Sequence, residues 1–392
     1  MRLTALPPVR RSVPLSRGDV SSRQVMERFF GNRPITLFAS GTAALAQAIA
    51  ACAARAARSS PEVILPAYGC PDLVAATLYA GVFPRLVDIA PSTWSYDGVS
   101  LEANLSPNTV GIIAVNLLGL GDQAHDLARL CQDRRIGLIQ DSAQFLPREP
   151  IDWPGEYVVL SFGRGKPLNL LGGGALISPP GTSALTSTEA ARLALRDRLF
   201  ASRAAAIAFN ALTRPHAYRV YSALPGTGLG EVAYTPLDDA SQQPERSWRR
   251  IGRAFGQYCE KPSYRSDIWE AALTEWTDFG ITPLHSPRAS FPPEPLRLAL
   301  LAPDQKTRDS LVDRLNANGL GPSRLYGTAL PEVACVPEAV NAQGPFPNAS
   351  SLAGKLFTLP THRLVTTSII DSARRTVGAL LSNPPTAYSS SA

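Results

Sequence analysis

Up to about residue 178, short apolar runs alternate along the chain with longer stretches of helical periodicity. The runs Val63–Pro66, Arg85–Ile89, Val110–Asn116, Gly137–Gln140, Tyr157–Ser161 and Gly174–Ser178 read as strands, and an alanine-rich stretch from Phe38 to about Ala57 reads as a helix. Continuous apolar strands separated by helices predict a mostly parallel sheet covered on both faces. Helical character resumes from Ser247 to Trp276, followed by a strand at Leu296–Leu301, a helix at Gln305–Asn318 ending near Gly319, and a last helix at Ser368–Leu381. Prolines at Pro283–Pro295 punctuate the approach to this second unit.

The expected organisation is an irregular proline- and arginine-rich arm at 1–20, a large domain at 21–250, a linking helix with a small C-terminal domain at 251–381, and a disordered tail at 382–392. The large domain carries an insertion at about 188–222. There, from Ala190 to Phe200 and on to Ala211, arginines alternate with apolar residues at near-helical spacing, predicting one or two amphipathic helices. Such a basic helix can lie on a membrane or cover a lipid-linked substrate. A helical hairpin packed on the core or on a dimer partner is the plainer expectation, because the apolar runs are short.

Composition adds little to the fold and more to the chemistry. A chain of 392 residues with 45% apolar content suits a two-domain globular enzyme. Its net charge of +6 rests on 34 arginines spread without a dense block. Diffuse basicity argues against a nucleic-acid-binding arm and suits a phosphate- or diphosphate-bearing substrate. Cys52, Cys70, Cys131, Cys259 and Cys335 are scattered, with no Cys-x-x-Cys pair, which suits a reducing cytoplasm and no structural zinc. His125, His216, His285 and His362 are too dispersed for a metal site. No apolar signal region follows Met1, and no run is long enough to span a bilayer.

Lys166 is one of four lysines in the chain, set between Ser161 and the glycine run Gly172–Gly174, in the loop beyond a strand end. A partly desolvated amine there can lose its proton and attack an aldehyde carbon as a Schiff-base lysine. Ser40 can cap the alanine-rich helix, leaving the free N–H groups of Gly41 and Thr42 and the helix dipole to favour a phosphate. Asp141 ends an apolar strand, where open α/β sheets gather ligands, and Gln144 follows three residues later. An aspartate so placed could hold a pyridinium nitrogen protonated, and the amide could reach a phenolate oxygen. A surface lysine, an ordinary helix cap and a strand-end turn are the plain alternatives for each taken alone.

Taken together and in order, these motifs resemble the DegT/DnrJ/EryC1/StrS sugar aminotransferases. The resemblance rests on Ser40–Leu45, Pro66-Ala67-Tyr68, Val87-Asp88-Ile89 with Asp97, Asp141–Gln144, Ser161–Lys166, Arg324-Leu325-Tyr326, Phe346–Ala349 and Leu359–His362, covering roughly residues 20 to 380. It implies the α/β fold of fold-type I pyridoxal phosphate transferases, aspartate-aminotransferase-like, with a mostly parallel central sheet and a smaller C-terminal α/β domain. It further implies Lys166 as cofactor anchor and proton shuttle, Asp141 as the ring-nitrogen partner, Gln144 as the phenolate contact, and Ser40, Gly41, Thr42 and Ser161 at the phosphate. Arg324 and Tyr326 would meet the sugar. A homodimer with active sites at the subunit interface is expected.

Three departures stand out. Where the family places a stacking aromatic ring, this chain has Gly69 and Cys70, so Tyr68 or Cys70 is expected to line the ring face. Where the family has an asparagine that reaches the neighbouring subunit's phosphate, the chain reads Gly230–Pro236, leaving Tyr234 or Thr235 as substitutes. The insertion at 188–222 is the third.

The activity so implied is transfer of an amino group from an amino-acid donor, usually glutamate, to an activated keto-sugar, for polysaccharide, glycolipid or antibiotic sugar assembly. Related dehydratases resemble the family with a histidine in place of the lysine, so Lys166 favours transamination. Elimination or substitution on an amino acid, and a non-catalytic cofactor-binding scaffold, are the competing expectations.

Overall fold

Apolar runs of four to seven residues pair into one seven-stranded sheet because they are largely buried and can satisfy their backbone groups only against neighbours. The computed structural model describes residues 4–7, 9, 12, 22–120, 123–182, 203–224, 232–243, 247–260, 267–285 and 295–382. The strands are β1 (Ile35–Phe38), β2 (Glu62–Pro66), β3 (Phe83–Val87), β4 (Thr109–Val115), β5 (Gly137–Asp141), β6 (Tyr157–Ser161) and β7 (Gly174–Ile177), in spatial order β1-β7-β6-β5-β4-β2-β3. Neighbours from β3 through β6 run parallel, whereas β7 is antiparallel to both β6 and β1. The carboxyl ends of β4, β5 and β6 therefore share one edge of the sheet, at Val115, Asp141 and Ser161.

Four strands differ from the sequence expectation. Ile35–Phe38 is a strand rather than a lead-in to the helix, its four wholly buried residues carrying no alternation to reveal it. β3 starts two residues earlier than expected, with Pro84 opposite Val63; β3 lies at the sheet edge, where a missing N–H breaks no ladder. Leu356–Pro360 forms β10, which pairs antiparallel with β9 (Arg297–Leu301), itself paired with β8 (Thr282–Pro283).

The alanine-rich helix Gly41–Ala56 packs on β6 and β7, and its small side chains at Ala43, Ala44, Ala46 and Ala48 permit the close approach. It ends where Ala57 turns left-handed (φ 49°) and returns its N–H to Ala53 O. The stretch from Ser247 to Trp276 is two helices, Trp248–Glu260 and Glu270–Thr277, rather than one. In the insertion, helices at Arg203–Leu212 and Pro215–Ser222 are described; the expected helix at Ala190–Phe200 and the tail beyond Ser382 lie outside the described residues.

A second core, with Trp269, Trp276, Leu311 and Phe357, forms between the β8–β10 sheet and its helices, and Leu6 from the N-terminal arm enters it. The arm is held by Leu6 N donating to Gly319 O (2.9 Å) and Ala5 N to Pro215 O (3.0 Å). Asp88, just beyond β3, ties the two units together by accepting hydrogen bonds from Asn348 N and Ala349 N at the start of the helix Pro347–Lys355.

Candidate active site

The N-terminus of the helix Gly41–Ala56 is seated directly on the ends of β6 and β7, and two glycines allow it. A Cβ on Gly174 would come within 2.5 Å of Gly41 N, and one on Gly41 within 2.7 Å of Ser161 Cβ. Ser40 Oγ accepts from Ala43 N at 3.0 Å, so it spends its oxygen on the cap. Gly41 and Thr42, whose N–H groups have no acceptor within a helix, line a cleft with Ser161. Main-chain donors and a dipole end there suit a dianionic phosphate.

The loop between β6 and β7 is closed at its base by Phe162 N to Gly173 O (2.8 Å) and Leu170 N to Phe162 O (2.9 Å). Lys166 sits in a turn of this loop, its N–H reaching Gly163 O at 3.3 Å, and its side chain enters the same cleft as Asp141. Asp141 Oδ1 accepts from Ala143 N at 2.9 Å. Burial pushes the Asp141 carboxyl above its usual range and nearby Asp72 adds to the shift, while the Ala143 N–H and Lys166 oppose it. A buried carboxylate with an oxygen left over for a cation is what a pyridinium N–H requires.

Gln144 bridges two distant segments. Its Oε1 accepts from Leu118 N at 2.7 Å, at a residue held left-handed (φ 53°), and its Nε2 donates to Tyr326 Oη at 2.9 Å. Burial, followed by Cys70, Tyr68 and Asp141, keeps the Tyr326 phenol well above its usual pKa, so its O–H remains a donor at the cleft wall. The Cys70 thiol is pushed up to about 12 by burial and by Asp72, against the pull of Lys166, which makes it a neutral wall rather than a nucleophile.

Asn116 is a residue that sequence reasoning passed over. It is fully buried beyond the end of β4, donates from Nδ2 to Ser142 Oγ at 2.5 Å, and leaves Oδ1 without a partner among the described residues. The strand-end rule that singled out Asp141 applies equally to Asn116 and was the available signal. Together the phosphate cradle, the carboxylate and the lysine, gathered on one cleft, fit pyridoxal phosphate.

Three expected site residues lie elsewhere. Ser40 caps its helix and does not line the cleft. Tyr68 is buried behind the wall, edge-on to Tyr326 with ring centroids 5.5 Å apart, because it faces the hydrophobic core. Arg324 turns to Asp309 (2.7 Å) and Asp313 (2.6 Å) on the helix Gln305–Ala317 and reaches neither compartment of the cleft. Tyr234 pairs by its N–H with Ala334 O at 2.9 Å, and within one subunit its side chain does not line the cleft.

Beyond Lys166 and Gln144 the cleft opens into a second compartment of about 210 Å³. Its ionisable lining is Arg164, Lys166, Arg297 and His362, with no carboxylate among the described residues, and Leu118, Leu296, Leu325 and Val9 supply apolar wall. Arg297 is anchored by Nε to Thr358 Oγ1 (2.7 Å) and Nη2 to Gly321 O (2.7 Å), and burial lowers its pKa to about 10. No cluster able to hold a metal ion occurs among the described residues.

Residues 21–199 match the model of the DegT/DnrJ/EryC1/StrS aminotransferase family. Over 119 residues the chain is 30% identical to Protein MosB of Rhizobium meliloti, a match covering 30% of this chain and 23% of that one. Over 145 residues it is 30% identical to the UDP-N-acetyl-3-dehydro-alpha-D-glucosamine 3-aminotransferase of Acidithiobacillus ferrooxidans, covering 36% and 38% of the two chains. The chain thus spans well under two thirds of these relatives. The crystal structure of NtdA from Bacillus subtilis with bound cofactor PMP superposes with a TM-score of 0.66 at 16% identity, covering 94% of this chain and 78% of that one, a likeness of fold.

Proposed function

We propose, from the match of residues 21–199 to the DegT/DnrJ/EryC1/StrS aminotransferase family model, that this chain is a member of that family, a pyridoxal-phosphate-dependent aminotransferase acting on an activated keto-sugar. The observation that carries the reading is the convergence of Lys166, Asp141 and the Gly41–Thr42 helix start on one cleft. Bound pyridoxal phosphate supplies an electron sink for the substrate carbon.

The chain's own residues do the rest. Gly41 and Thr42 N–H groups and the Ser161 hydroxyl take the phosphate. Asp141, ionised once a cation faces it, accepts from the ring N–H and keeps that proton in place. Lys166 anchors the cofactor and, when a donor amine displaces it, its Nζ carries the proton at the substrate carbon. Gln144 Nε2 and the Tyr326 O–H present donors on one side of the cleft. The cationic outer compartment receives the carboxylate of an amino donor such as glutamate and then the phosphate-bearing part of a nucleotide-linked sugar. A homodimer completes the phosphate end, and the aminated sugar would serve polysaccharide, glycolipid or antibiotic assembly.

The test is a half-reaction. Mixing the cofactor-loaded protein with glutamate should bleach its visible band and release one equivalent of 2-oxoglutarate per site, and Lys166→Ala should do neither. Inertness to glutamate with release of ammonia and pyruvate from an amino acid bearing a β leaving group, such as O-acetylserine, would indicate an elimination enzyme instead.

A further inference from the structure

The helices Arg203–Leu212 and Pro215–Ser222 turn an apolar face outward. Ile207 and Val220 are each 66% exposed and Leu224 is 54% exposed, with Leu212 beside them at 37%. Exposed alanines at 204, 208 and 211 fall on the Ile207 side of the first helix, whereas Ala206, Phe209, Asn210 and Thr213 turn inward. The inner side is fixed: Asn210 exchanges hydrogen bonds with Ser12 N (2.8 Å) and Ser12 O (3.0 Å), and Ala5 N donates to Pro215 O. The outward apolar side chains are therefore held in place rather than displayed by a loose segment.

Charge on this pair has one sign. Residues 203–224 contain no Asp or Glu, while Arg214 and His216 are exposed and Arg219 is half-buried, none of them ion-paired among the described residues. Set against its own twofold mate, this patch would place arginines against arginines with no carboxylate among its described residues. An anionic bilayer complements both features, the cations at headgroup level and the aliphatic side chains below. No described helix is long and apolar enough to cross a membrane, so the contact would be peripheral.

We propose that Ile207, Leu212, Val220 and Leu224, with Arg214 and Arg219, form a docking surface for an anionic phospholipid bilayer. The proposal goes beyond the aminotransferase reading and does not depend on it.

Co-sedimentation of the full chain with vesicles of phosphatidylcholine alone, or with phosphatidylglycerol added, tests it without any activity readout. Binding to the phosphatidylglycerol vesicles, reversed by salt and weak on phosphatidylcholine alone, is expected. Arg214→Gln and Arg219→Gln should each weaken it about fivefold, and Ile207→Ser with Val220→Ser should abolish it, with circular dichroism melts unchanged. Failure of the wild type to sediment with anionic vesicles would overturn the proposal. So would a wild-type dimer, by light scattering, that the Ile207→Ser, Val220→Ser variant converts to monomer without any vesicle binding, since the face would then belong to a second copy.

Discussion

Asp88 and Ala349 stand 261 positions apart in the chain and are joined by a 2.9 Å hydrogen bond from the Ala349 N–H to the Asp88 carboxylate. The other Asp88 oxygen takes the Asn348 N–H at 3.1 Å. One buried side chain thus caps a helix of the C-terminal unit from the end of a strand in the large sheet. Asp88→Ala would leave two helix-start donors without an acceptor, at about 2 kcal/mol of stability. A lowered denaturant midpoint with unchanged slope checks this; a loss under about 0.5 kcal/mol would mean that water replaces the carboxylate.

Gly41 and Gly174 have no room for a side chain. Alanine at Gly41 would press on Ser161, and alanine at Gly174 on the backbone of Ser40 and Gly41, where nothing flexible can yield. Gly174→Ala is expected to destabilise the fold by about 1–3 kcal/mol. Gly41→Ala should act more on cofactor affinity, weakening it about tenfold or more. Equilibrium dialysis of pyridoxal phosphate against both variants separates the two effects.

Asp141 should make the cofactor-free protein less stable as pH rises. Its folded pKa lies above its unfolded one, so the folded state holds its proton longer; stability is full below the ordinary aspartate range and falls as pH climbs through the raised value. Cofactor-free Asp141→Asn should therefore become more stable than the wild type above that range, while losing on the order of 10²–10³-fold in transamination rate. Urea midpoints of the two cofactor-free proteins at several pH values between 4 and 8 would reveal it, and a pH-independent difference would contradict it.

Several parts of this site were legible because they follow from strand ends and helix starts, which local pattern reveals. Gly41, Thr42, Asp141 and Ser161 lie at such positions, Gln144 and Lys166 follow strand ends in the next loop, and the structure gathers all six on one cleft. Arg324 was misplaced because its partners Asp309 and Asp313 are created by one turn of another helix, a relation no short motif states. Arg297 and His362 reach the outer compartment through the antiparallel β8–β10 sheet, whose pairing joins residues as far apart as Arg297 and Pro360. β1 and β10 escaped for a related reason, since short buried strands show no periodicity until their partners are known.

The contrast between Tyr326 and Arg324 follows from their different partners. Tyr326→Phe removes the hydroxyl that meets Gln144 at the cleft, and kcat should fall about tenfold or more. Arg324→Gln breaks a partly exposed ion pair, at under about 1 kcal/mol of stability, and should leave kcat and KM within about twofold. Steady-state kinetics on the two variants decides whether Arg324 serves the substrate or the small unit's own packing.

The central claim is that Lys166 is the cofactor's anchor, and reduction of the loaded protein with borohydride followed by peptide mass mapping tests it most directly. The account predicts a pyridoxyl-phosphate mass increment on the peptide containing Lys166 and on none containing Lys261, Lys306 or Lys355. An increment on one of those other lysines, or none anywhere at saturating cofactor, would contradict it.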